Sequence, residues 1–257
     1  MVIKSRLRIN GPLLSISCFS LFLLCLILVG SQSPSVIKIN AAVLSFFTSF
    51  YDTSLKSAAI AISTFGHKSV FVKVVIAYTL ILALLRRWDA VAYVSTLTWP
   101  IFWTCQFLKE NFTSLRPDWA LIAHMGLKAS YSFPSRHVAA FTVIGLAMIT
   151  LANKKLKMPL TIVFALSLAA LAWARLYLTA HWLTDIAGAL FLAAAWSHLV
   201  IKYCKPSEPI PTAVYPIVIC LWGVFAGQYL SNHFSGEMYA YTPFIQVAQH
   251  SDAQCFN

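Results

Sequence analysis

Charge is scarce in this sequence. Of 257 residues, 11% are Asp, Glu, Lys or Arg, against about 25% in a soluble domain. With 59% of its residues hydrophobic, the chain has too little polar surface to cover itself in water, which excludes an ordinary soluble domain. Acidic residues are the rarest charged class, 8 against 19 basic, for a formal net charge of +11. That excess does not gather in one tract. The basic residues fall between apolar runs, a pattern that reports membrane topology and argues against a nucleic-acid partner. Cysteine pairs at metal-ligand spacing are also missing. Cys18, Cys25, Cys105 and Cys220 lie in or beside apolar runs, Cys204 flanks one, and Cys255 stands near the end. They imply neither a metal site nor a disulfide framework, and read as small hydrophobes.

What the chain has is long apolar runs. Seven candidate spans fall at 12–30, 69–85, 90–107, 136–153, 159–176, 185–203 and 211–230, most close to the roughly 17–25 residues a spanning helix needs. The fold class expected is all-α: a polytopic transmembrane bundle with a six-helix catalytic core and a seventh, C-terminal span. Residues 36–62 mix apolar positions with Lys38, Asp52 and Lys56, as interfacial helices do. Lys4, Arg6 and Arg8 precede the first run, and Val29-Gly30-Ser31 is a poor cleavage site; a retained anchor is expected. The expected organisation is an anchor over 1–35, a core over 36–203, and an extra span with an outer tail over 204–257.

Orientation follows from the loops. An N-terminus in the cytoplasm puts Arg86-Arg87, then Lys154, Lys155 and Lys157, then Lys202 and Lys205 on the same side as Lys4, Arg6 and Arg8. These make ten of the 19 basic residues, as the positive-inside rule expects. The opposite, extracytoplasmic side receives three segments rich in ionisable groups: Lys109 through Arg116-Pro117, Phe133-Pro134-Ser135-Arg136-His137, and Ala174-Arg175 through His181 to Asp185.

Ionisable groups at membrane depth are costly and generally functional. Lys109, Arg116 and Arg175 offer fixed positive charge; arginine forks match phosphate oxygens and lysine supplies a compact point charge. Ser135 adds a hydroxyl donor, and the helix start beside it favours anions. His181 and Asp185 stand four apart and meet on one helical face. Such pairing fixes an imidazole tautomer, as a nucleophile or base requires. His137, from another helix, is placed to protonate a leaving oxygen. Phosphoryl transfer mainly needs positioning and charge stabilisation, and this set supplies both. Taken singly, each residue has an ordinary explanation: Lys109 and Arg116 as snorkelling anchors, His181 and Asp185 as a structural hydrogen bond. The joint spacing favours a phosphate site. His67, His124, His198, His233 and His250 lack motif partners and are read as structural or loop residues.

The pattern K-x6-R-P, then P-S-x-H, then R-x5-H-x3-D resembles the three-part signature of the type 2 phosphatidic acid phosphatase superfamily. The resemblance covers roughly spans two to six. It implies that His181 attacks phosphorus and forms a phosphohistidine, that Asp185 orients it, and that His137 protonates the leaving lipid oxygen. It further implies that Lys109, Arg116, Ser135 and Arg175 hold the phosphate, with no metal or other cofactor. Arg136 departs from the family's usual glycine and Ala174 from its serine. Arg136 is expected to add charge at the pocket mouth and to contact a second anionic group, and the loss of a serine hydroxyl at Ala174 to weaken phosphate binding modestly.

The function expected is therefore a metal-independent lipid phosphatase in a bacterial cytoplasmic membrane, facing the periplasm. The membrane lipids the resemblance implies as substrates are phosphatidate, phosphatidylglycerol phosphate, undecaprenyl diphosphate or lipid A phosphates, with Arg136 leaning toward the last two. A lipid-to-lipid phosphotransferase and a non-catalytic lipid-binding or transport protein on the same scaffold are the alternatives.

Overall fold

The computed structural model describes residues 11–50, 52–117 and 131–241. The expectations for Lys4, Arg6, Arg8, His124, His250 and Cys255, and for the tail beyond 241, lie outside the described residues. Among these, nine helices follow in order: α1 (Gly11–Gly30), α2 (Pro34–Thr48), α3 (Thr53–Thr64), α4 (Lys68–Leu84), α5 (Trp88–Asn111), α6 (Arg136–Leu151), α7 (Lys154–Tyr177), α8 (Leu183–Cys204) and α9 (Val214–Ala240). Each of the seven expected spans falls on one of them. The fold is an all-helical, multi-pass membrane bundle.

Four stretches of the described chain are long and apolar enough to cross a membrane: Thr53–Leu84, Lys154–Tyr177, Leu183–Cys204 and Val214–Met238. The α1–α2 pair makes a fifth when counted as one bent span. Helix α6 falls short at 16 residues and opens with Arg136 and His137 of the second motif. Helix α5 carries Asp89, Lys109 and an internal Pro100.

The 36–62 segment divides in two. α2 turns away from α1 by 94°, the course of a helix lying along an interface. α3 instead nearly continues α4, and the two make one 32-residue stretch. At 1.5 Å per residue that is about 48 Å, well beyond a hydrocarbon core of about 30 Å. The break falls at Phe65–His67, where His67 caps α4 by accepting the Ser69 N–H.

Helix α6 is the hub, packed against α4, α5, α7 and α8. Small residues allow this closeness. Ala139, Ala140 and Ala147 of α6 are fully buried, and the Phe164 ring of α7 sits 2.7 Å from where a Cβ on Gly145 would be. α1 runs along α8, α3 packs on α7, and α9 crosses α3 and α4.

The loops between α4 and α5, α6 and α7, and α8 and α9 share one end of the bundle. There Arg87 donates to the Glu208 and Pro209 carbonyls, and the Ile210 N–H donates to the Leu151 carbonyl at 3.1 Å. The basic clusters at 86–87, 154–157 and 202–205 thus lie together, opposite the three motifs.

Candidate active site

The three motif segments meet at the other end and are tied to one another through their backbones. Lys109, at the end of α5 and 5% exposed, donates to the Tyr131 and Ser132 carbonyls at 2.6 and 2.7 Å. The Ser132 N–H donates to the Ser114 carbonyl at 2.8 Å. These bonds join the first motif to the second. The Ser135 N–H donates to the Asp185 carbonyl at 3.1 Å, joining the second to the third. Trp182 Nε1 closes the ring by donating to the Leu115 carbonyl at 2.8 Å. Two of an ammonium's three donors on Lys109 are thereby used on carbonyls, leaving one for a ligand.

Helix α8 begins on this framework. Asp185 lies in its first turn, fully buried, and accepts the Trp182 N–H at 2.9 Å, a carboxylate at the helix start where the backbone donors are unpaired. The same Oδ2 meets His181 Nδ1 at 3.2 Å. His181 is 1% exposed and sits in the turn between α7 and α8. Burial first, and then the charges of Lys109, Arg175 and Arg116, hold its imidazole well below the ordinary histidine range. The ring is neutral at neutral pH. With the carboxylate accepting from Nδ1–H, its lone pair lies on Nε2.

Beside this pair lies a cavity of about 340 Å³ lined by Arg116, Arg136, His137, Arg175, His67 and Lys68, among others. Its cations are suited to an anion. Arg175, from the last turn of α7, is 1% exposed. Its Nη1 donates to Ser63 Oγ at 2.7 Å and to Tyr241 Oη at 3.2 Å. Arg136 donates to Gln106 Oε1 and its guanidinium stands over the Phe102 ring. Among the described residues, four buried polar atoms here have no hydrogen-bond partner: Ser135 Oγ, Arg136 Nε, Arg175 Nε and Asp185 Oδ1. The two guanidinium donors belong to residues that line the cavity, and buried donors call for an acceptor, which an anion there would supply. His181, Lys109, Ser135 and Asp185 are buried and are not among the residues that line the cavity. Among the described residues, no three His, Cys, Asp or Glu side chains gather as a metal site would require.

The family model matching residues 89–208 is that of the PAP2 superfamily. The match takes in just under half of the chain. The matched PAP2 core runs from the start of α5 to just beyond α8 and contains all three motifs. The fold is similar to the crystal structure of a transmembrane PAP2-type phosphatidylglycerolphosphate phosphatase from Bacillus subtilis. The TM-score is 0.64 at 22% identity, over 76% of this chain and 98% of that one. No curated protein sequence matches the chain significantly. The protein thus has the fold of a PAP2 membrane phosphatase.

Several residues at this site carry no motif and are not legible in the sequence. Tyr229, Glu237 and Tyr241 reach the cavity from the end of α9, outside the matched core. Tyr229 donates to Glu237 Oε1 at 2.8 Å and stacks on His67 with ring centroids 4.0 Å apart. His67, read as structural in the sequence, both caps α4 and lies 5.9 Å, ring to ring, from His137. Ser63, buried on α3, is with Tyr241 a side-chain partner of Arg175. No local spacing links these residues to the motifs; they arrive through the packing of α3, α4 and α9 on the core.

Proposed function

We propose that this protein is a lipid phosphate phosphatase working through a phosphohistidine. The observation that carries the reading is the buried His181–Asp185 pair adjoining a cavity lined by Arg116, Arg136, Arg175 and His137. His181 Nε2 attacks phosphorus in line with the bond to the lipid oxygen. Asp185 holds the ring and stabilises the positive charge that develops on it. His137, from the first turn of α6, protonates the departing lipid oxygen. Water then attacks the phosphohistidine and releases inorganic phosphate. Arg116, Arg175, Ser135 and the remaining donor of Lys109 stabilise the oxygens of the transferring phosphoryl group.

The substrate in this reading is an amphiphile whose phosphate reaches the membrane surface: a phospholipid phosphate, a polyprenyl diphosphate or a lipid A phosphate. Arg136 lies on the α5 side of the cavity, where it would meet a second anionic group. The basic loops at the far end of the bundle support a site facing away from the cytoplasm, in a bacterial cytoplasmic membrane.

The test is phosphate release by purified protein in detergent with chelator present, from phosphatidate, phosphatidylglycerol phosphate, undecaprenyl diphosphate and lipid A. Release from one or more that disappears in His181→Ala is the expected result. Transfer of phosphate to a second lipid without release would indicate a phosphotransferase. Tight binding of the lipids with neither release nor transfer would indicate a binding protein.

A further inference from the structure

One turn deeper than the phosphate cavity lies a second, apolar one of about 250 Å³. The two are linked residue by residue. On α6, His137 lines the first and Phe141 the second; on α7, Arg175 lines the first and Leu171 the second. Residues four apart lie one above the other on a helix face. On α9 the corresponding pair is Tyr229 and Trp222, two turns apart; on α3, Ser63 and Thr64 line the first while Ile62 and Phe65 line the second. α6 starts at the site and runs away from it, while α7 and α9 run toward it. In each of these three helices the second member is therefore farther into the bundle.

The crevice is built to stay apolar. Its floor is aromatic, with the Trp222 ring 5.1 Å from Phe141 and 6.0 Å from Phe164. The one indole N–H is used on the Phe65 carbonyl at 3.0 Å, so only ring faces meet an occupant. Ser167 is the single polar side chain among its lining residues. At its mouth stand Val163 of α7 and Ile219 of α9, 55% and 44% exposed, on the side that faces the bilayer.

We infer that this crevice between α6, α7 and α9 holds the first carbons of the substrate's hydrocarbon chain while the phosphate occupies the cavity above it. The inference rests on the lipid phosphatase reading and deepens it. An amphiphile entering sideways between α7 and α9 brings its chain into the apolar crevice and its phosphate against Arg175 and His137. Trp222 and Ile219 come from α9, outside the matched PAP2 core.

The experiment takes whichever lipid of the panel of phosphatidate, phosphatidylglycerol phosphate, undecaprenyl diphosphate and lipid A releases phosphate. It compares the long-chain form of that lipid in mixed micelles with a short-chain, water-soluble analogue. Ser167→Trp fills the crevice from α7 and Ile219→Trp narrows it from α9. Val36→Trp is the control, placed in a separate recess of about 550 Å³ beside α1 and α2. Each crevice variant is expected to lower the long-chain to short-chain ratio of kcat/KM by at least about tenfold, the contact of two or three methylene groups. Short-chain activity stays close to wild type and reports an intact fold. If Ser167→Trp loses both activities, Ile219→Trp decides alone. An unchanged ratio in the crevice variants, or a ratio lowered instead by Val36→Trp, would overturn the inference. No release from any lipid of that panel by the wild type would contradict the phosphatase reading itself, and the inference with it.

Discussion

Gly66 lies against the backbone of His137. A Cβ on Gly66 would stand 2.9 Å from the His137 Cβ and 3.1 Å from both its Cα and its carbonyl oxygen. Glycine at the α3–α4 junction is thus what lets the first turn of α6 settle beside the break at Phe65–His67. Backbone cannot swing aside as a flexible side chain does, so an added methyl must displace one of the two segments.

Gly66→Ala is accordingly expected to lower kcat by about ten- to a hundredfold, since a general acid moved out of line loses much of the about 10²–10⁴-fold it supplies. The helical far-ultraviolet spectrum should be retained. Steady-state kinetics on the preferred lipid checks this, and a kcat within twofold of wild type would contradict the placement of His137 at the reacting bond.

Tyr241 and Ser63 share Arg175 Nη1 between them, and the Tyr241 ring also lies 5.8 Å from the guanidinium carbon. Removing the hydroxyl in Tyr241→Phe keeps the ring and loosens the arginine. Loss of one hydrogen bond to a charged group predicts a KM raised by about three- to tenfold with little change in kcat. A variant with unaltered KM would show that Tyr241 does not position Arg175 during binding.

Arg136 stands where the family usually has glycine, and its guanidinium is held by Gln106 and Phe102 on the cavity wall. If it meets a second anionic group, Arg136→Gly should reduce kcat/KM for a diphosphate substrate about tenfold more than for a monophosphate. Equal losses on both would remove Arg136 from substrate selection.

The neutral His181 also makes a statement about stability. Its folded pKa lies well below the ordinary value, about 6.5 in an unfolded chain. Below that pH the unfolded state takes up a proton that the folded state refuses, so stability falls as pH drops through about 6.5. Thermal unfolding in detergent at pH 7.5 and 5.5 should show a Tm loss that is smaller in His181→Ala than in wild type. An equal loss in both would mean that His181 is not held neutral by its surroundings.

The bundle was legible because its signals are local. Each apolar run from 12–30 to 211–230 became a helix, and the clusters at 86–87, 154–157 and 202–205 marked the end opposite the motifs. His181 and Asp185 were legible for the same reason, as an i,i+4 pair. The near-continuity of α3 with α4 was not, since Asp52 and Lys56 give that stretch an interfacial look while Lys56 is in fact buried and donates to the Met238 carbonyl. Tyr229, Glu237 and Tyr241 were hidden too. They stand more than forty residues beyond the last motif, and only the crossing of α9 over α3 and α4 brings them to the cavity.

The most direct test of the central claim is to quench the enzyme during turnover of a lipid labelled in its phosphate and to locate the label on the chain. The account predicts an acid-labile, alkali-stable phosphohistidine at His181, absent in His181→Ala. Steady release of labelled phosphate by the wild type, with His181 unlabelled and His181→Ala still active, would contradict it.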